Sequence, residues 1–173
     1  MRRNTATRRQ RGVAMIEFAI AGIAAMTLLI ATVQLALVMW NYHTLAYAVH
    51  ETNRYVASHG RSCTTGGNNC AITVGTVATL LKTRAVGLPD SSIVMTLTSK
   101  SGTTITCNPL SNCESNATQW PPVAHFDNNP GNYTTLTAKI TLNTAIVALW
   151  YGQRGTTIGT VTLPATSKIP FVF

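Results

Sequence analysis

The sequence predicts an α+β protein: a long N-terminal transmembrane-and-stalk helix followed by a small, disulfide-tied α+β head with an antiparallel sheet. Three observations predict it. Phe18 to Trp40 is a run of 23 residues without a charge. The segment behind it contains no Gly or Pro until Gly60 and keeps loose helical spacing. Beyond Gly60 the composition turns to Thr, Ser, Asn and Gly, with four cysteines and short runs of β-favouring residues.

The helix comes first. At 1.5 Å per residue the uncharged run spans roughly 35 Å, against about 30 Å for a bilayer core. Trp40 and Tyr42 then stand where interfacial aromatics gather. A secretory signal has a shorter apolar region followed by a break, whereas here "NYHTLAYAVHETNRYVAS" continues with Leu45, Val49, Tyr55 and Val56 at helical intervals. One continuous helix is expected from about Ala14 to Ser58, half in lipid and half out, stopping near Gly60. His43 and His50 share a face of it and are expected to be interfacial or packing residues.

Charge sorts along the chain. Lys and Arg number 13 against 5 Asp and Glu, a net +8, yet only 10% of residues are charged. Arg2, Arg3, Arg8, Arg9 and Arg11 all precede Gly12 with no acid among them. Such a cluster beside an apolar segment marks a cytoplasmic N-terminus under the positive-inside rule. The body that follows is nearly balanced and offers no recognition helix or aromatic-basic surface, so no nucleic-acid partner is expected.

Glu17 is the anomaly, a lone carboxylate at the mouth of the apolar run. An unpaired carboxylate in lipid is costly, so a partner is expected. The surrounding residues "RGVAMIEF" resemble the processing site of type IV pilin-like precursors, with a basic leader ending in Gly12 and an acid as fifth residue after the cut. The continuation through Arg54-Tyr55 resembles the TadE-like pseudopilins, minor pilins of tight-adherence (Tad) pili, over roughly Arg8 to Ser58. The chain departs from many members in lacking an early proline in the apolar stretch; placing Val13 first after the cut, unlike the Phe of the better-known type IV pilins, points to the Tad branch or to a minor subunit.

The resemblance implies cleavage between Gly12 and Val13 by a prepilin peptidase, with Gly12, Val13, Glu17 and Phe18 as the processing residues. It implies that Glu17 acts in assembly by pairing with the α-amine of a neighbouring subunit. The implied partners are the prepilin peptidase, other pilin or pseudopilin subunits, the Tad inner-membrane assembly machinery and the lipid bilayer. The implied place is the bacterial inner membrane, single-pass, N-terminus cytoplasmic and head periplasmic, or an extracellular pilus. The organisation expected is a basic leader over 1–12, a transmembrane and stalk helix over 13–59 and an exported head over 60–173. The competing reading is an unprocessed, single-pass membrane-anchored periplasmic binding domain.

In the head, 71–86 is expected to form a short second helix and "SIVMTLTSKSGTTITC" a hairpin turning at Lys100-Ser101-Gly102. Residues 108–132 read as a long loop. "YTTLTAKITLN" alternates as a strand, "AIVALWY" extends it or packs as an apolar segment, and the tail adds one more strand. Four cysteines in an oxidising compartment allow three pairings. The local one, Cys63–Cys70 and Cys107–Cys113, is favoured because each pair closes a short loop. A zinc site using His59 or His125 is disfavoured by cysteine spacings wider than those of zinc knuckles.

No catalytic residue set is expected. Asp90, Glu114 and Asp127 are isolated in sequence, His125 and Asp127 form at most a loop pair, and no nucleophile, metalloprotease or phosphate-loop motif occurs. The chain is therefore read as no enzyme, without cofactor or metal. Exposed aromatics around Trp120 or Trp150-Tyr151 would hint at adhesion, and buried ones at a core.

Overall fold

A computed structural model of the chain describes residues 5–59, 72–122, 126–143 and 160–171. Two compact units divide it, Met1–Leu37 and Val38–Phe173. One helix, α1 (Thr5–Ala57), supplies backbone to both. It begins before Ala14, so the helical backbone already includes Gly12.

The first unit holds the most apolar part of α1, which is long and apolar enough to cross a membrane and is unburied among the described residues. Large side chains such as Phe18, Ile20, Ile23 and Leu28 are open on every side of the helix. An all-round apolar surface of this kind is satisfied by lipid or by other helices, not by water. Its hydroxyls are already spoken for: Thr27 Oγ1 donates to Ala24 O at 2.9 Å and Thr32 Oγ1 to Leu29 O at 2.8 Å. Such back-bonding keeps a polar group satisfied in hydrocarbon.

In the second unit the helix changes role. Leu45, Ala48, Val49, Thr52, Asn53 and Val56 are buried, recurring at three- and four-residue steps. The segment expected to be a stalk thus also buries one face in the core of the second unit. Short β1 (Ile72–Thr73) leads into α2 (Val74–Arg84), which buries Val74, Val77, Ala78 and Leu81. Thr73 caps α2, its Oγ1 accepting from Thr76 N at 3.1 Å.

Strands β2 (Ile93–Ser99) and β3 (Thr104–Cys107) form the expected hairpin, and β4 (Gln119–Trp120) pairs antiparallel with β1. Strands β5 (Tyr133–Asn143) and β6 (Thr160–Pro170) complete a four-stranded antiparallel sheet of order β3-β2-β5-β6. Ile93, Met95 and Leu97 of β2 and Leu136, Ala138 and Ile140 of β5 face the core that also holds Leu45, Val49 and Val56 of α1. The hairpin turns at Gly102, whose φ of 90° suits glycine and whose N–H donates to Ser99 O at 3.1 Å.

Within the long loop expected over 108–132, the stretch 108–122 carries order of its own beside the expected disulfide. A Cys107–Cys113 disulfide closes it at one end over a 3-10 turn, Leu110–Cys113. Its other end feeds α2: Asn116 O and Thr118 O accept the N–H groups of Gly75 and Val74, each at 2.9 Å. These are helix N-terminal donors that would otherwise lack partners. The Cys63–Cys70 pairing, "AIVALWY", His125 and Trp150-Tyr151 lie outside the described residues.

Candidate functional site

The sequence-derived site occupies the first unit. Gly12, Val13, Glu17 and Phe18 all lie on α1, in regular helix. Val13 is 58% exposed and Phe18 81% exposed, and Glu17 is open too. Val13 and Glu17 stand one turn apart on one face, and helical side chains lean toward the N-terminus. The Glu17 carboxylate therefore leans back over the turn that contains Val13. Among the described residues no cation forms an ion pair with it. An exposed carboxylate flanked by Met15, Ile16, Phe18 and Ile20 invites a cation from outside the helix.

The Arg54-Tyr55 pair sits at the other end of α1, inside the head. Arg54 Nη1 reaches Glu51 Oε1 at 3.0 Å on the surface. Tyr55 is partly buried and lies against the His59 ring, centroids 4.2 Å apart, while His59 Nδ1 is 2.7 Å from Tyr55 O. This contact orders the end of the helix. His43 packs edge-on against Tyr42 at 5.8 Å and His50 is exposed. Among the described residues no group of three or more metal-ligating side chains comes together.

What sequence reading missed is a polar seam between α1 and the sheet. Asn53, fully buried, donates through Nδ2 to Ser167 O at 2.9 Å, to Ser167 Oγ at 3.2 Å and to Thr134 O at 3.3 Å. Trp120, also fully buried, donates through Nε1 to Thr134 Oγ1 at 3.2 Å. Trp120 is thus a core residue. The only sequence signal for the seam was two polar residues, Thr52 and Asn53, on the face of α1 that also carries Leu45 and Val49.

The acids past Glu51 also have structural duties. Asp127, buried, accepts from Ser101 N at 3.1 Å and from Ser101 Oγ, tying a distant loop to the hairpin tip. Lys82 Nζ lies 2.7 Å from Asp90 Oδ2 and 3.0 Å from Glu114 Oε1. The hydrogen bond to Asp90, then that to Glu114, raises the Lys82 amine above its ordinary value. The same bond to Lys82 holds the Asp90 carboxyl below the usual range.

The described residues therefore present two kinds of feature: an unburied apolar helix with one carboxylate near its start, and a head in which Lys82, Asp90, Glu114 and Asp127 hold its own loops. No curated protein and no solved structure matches the chain. A family model, that of the TadE-like proteins, does match its N-terminal part: over residues 12–54, about a quarter of its length, the chain is similar to that family.

Proposed function

We propose that the chain is a structural, non-enzymatic subunit associated with a Tad-type pilus: a minor pilin or pseudopilin, anchored in the inner membrane with its head outward, cut between Gly12 and Val13 and then assembled with other pilin subunits. The observation that carries this reading is the unburied apolar helix with its lone Glu17, within the segment that matches the TadE-like family. Cleavage supplies what Glu17 lacks. It creates an α-amine at Val13 and removes the leader arginines that hold the helix in the bilayer.

The helix through the cleavage point adds a physical detail. A peptidase that takes an extended segment must first unwind α1 around Gly12. Glycine lowers that cost, since it is about 1 kcal/mol worse than Ala in a helix interior. Once cut, Glu17 stands near a helix N-terminus, where the macrodipole favours an acid. The α-amine of a neighbouring chain then competes with the chain's own for the same carboxylate, and the pairing selects register between helices because it is strongest where water is scarce.

Assembly tests the reading directly. Glu17→Ala is expected to leave cleavage and membrane insertion intact while abolishing cross-linking between α1 helices of neighbouring subunits, and Glu17→Asp to restore part of it. Unchanged cross-linking in Glu17→Ala would remove Glu17 from assembly.

A further inference from the structure

We propose that the outer face of the four-stranded sheet binds an acidic polysaccharide. The alternation that sends Ile93, Met95 and Leu97 of β2 into the core sends the intervening residues outward, and taken over the four strands together these are mostly threonines. Register sets them in rows across the sheet. Thr106, Thr96, Thr137 and Thr166 are successive cross-strand partners in one row. In the next row Thr104, Thr98 and Thr135 end on Lys168.

The hydroxyls stand on a common surface. Thr137 Oγ1 is 3.1 Å from Thr166 Oγ1, Thr96 Oγ1 is 3.5 Å from Thr106 Oγ1, and Thr141 Oγ1 is 3.5 Å from Thr162 Oγ1. Each hydroxyl has one donor and two acceptor positions, so such a contact leaves capacity for a ligand. Strands about 4.8 Å apart, with outward residues about 6.8 Å apart along each, make this a regular grid of hydroxyls and methyls. A grid of that kind suits an extended ligand that is itself a repeating series of hydroxyls.

Charge decides which polysaccharide. Lys139 and Lys168 project from this face, and Lys168 Nζ is held 3.6 Å from the centre of the Tyr133 ring. No carboxylate lies among its outward residues. The chain's acids are elsewhere: Glu17 and Glu51 on α1, Asp90 and Glu114 beside Lys82, Asp127 at the hairpin tip. A surface with cations, hydroxyls and no acid complements a chain of sugars bearing carboxylates. Nucleic acid fits less well, since the face presents no arginine and Tyr133 already lies beneath a lysine.

The proposal concerns the head and does not rest on cleavage after Gly12, so the two readings fail separately. The test uses the full chain in nanodiscs of zwitterionic lipid, with alginate, dextran and single-stranded DNA as probes. Alginate is expected to bind and dextran to bind far more weakly. The T96V/T137V/T166V and K139Q/K168Q variants are each expected to weaken alginate roughly tenfold or more. Valine keeps the β-branched shape, and unchanged circular dichroism and melting temperature confirm that both variants fold. Failure of alginate to bind would overturn the proposal, as would undiminished binding by either variant. DNA binding as tight as alginate, with the threonine variant unaffected, would also overturn it by showing a lysine patch for any polyanion.

Discussion

At the scale of single residues, Gly75 shows how tightly the head is closed. A Cβ there would lie 2.5 Å from Glu114 O and 3.0 Å from Asn116 O, backbone atoms of the disulfide-bounded loop. Gly75→Ala must push that loop off the N-terminus of α2, and is expected to cost on the order of 1–3 kcal/mol in a denaturant melt despite alanine's better helix propensity. Asn53→Ala removes the donor that joins α1 to Thr134 and Ser167, with an expected loss of about 1–3 kcal/mol measured the same way. The Lys82 cluster should behave differently because it is exposed. Its lowered Asp90 contributes stability above the ordinary carboxylate range and loses it as pH falls through the lowered value. Its raised Lys82 contributes below the ordinary amine range and loses it as pH rises through the raised value. The contribution is therefore whole at neutral pH, and Lys82→Met should lose less stability than the wild type as melts are taken down through the carboxylate range. A steeper loss in the variant would contradict the assignment.

At the scale of elements, the strands and the first helix were legible where periodicity is strong. The alternation in "YTTLTAKITLN" is the inward-outward pattern of β5, and Gly102 is where the hairpin turns. The second helix was legible as well, beginning at Val74 after two residues of strand. The role of residues 41–58 was not. Their helical spacing says helix, but whether Leu45 and Val49 face water, lipid or a sheet depends on strands more than forty residues later in the chain. The order within 108–122 was hidden for the same reason, since Gly75 and Asn116 meet only in the fold. The Cys107–Cys113 bond was legible because only a short loop, a sequence separation of 6, lies between its ends. Replacing both cysteines by serine is expected to cost about 2 kcal/mol of stability, with reduction of the wild type giving a similar shift. Strand β6 borders the sheet among the described residues, and Pro164 and Pro170 occupy positions whose N–H would point away from β5. Proline there removes the donors that an incoming strand would use. Pro164→Val restores one, and increased self-association in sedimentation velocity is the expected result.

At the scale of the whole molecule, the chain joins two solutions to the same problem of apolar surface. The head buries its apolar residues against one another, while the first half of α1 leaves them open to lipid or to other helices. Glu17 is the one acid in that second setting, and the proposal for it rests on the spacing of Gly12 and Glu17 and on the arginines before them. The helical state of the proposed cleavage point was not legible, because Gly12 and the charged residues before it carry no apolar periodicity. If unwinding around Gly12 precedes cutting, Gly12→Ala should slow processing by a prepilin peptidase in membranes, read as precursor accumulating on gels. The most direct measurement of the central claim is the N-terminal residue of the protein recovered from membranes with and without that peptidase. A start at Val13 that appears only when the peptidase is present is the predicted result; an intact arginine leader under both conditions would contradict it, and would leave the chain as an uncut, single-pass anchor for its head.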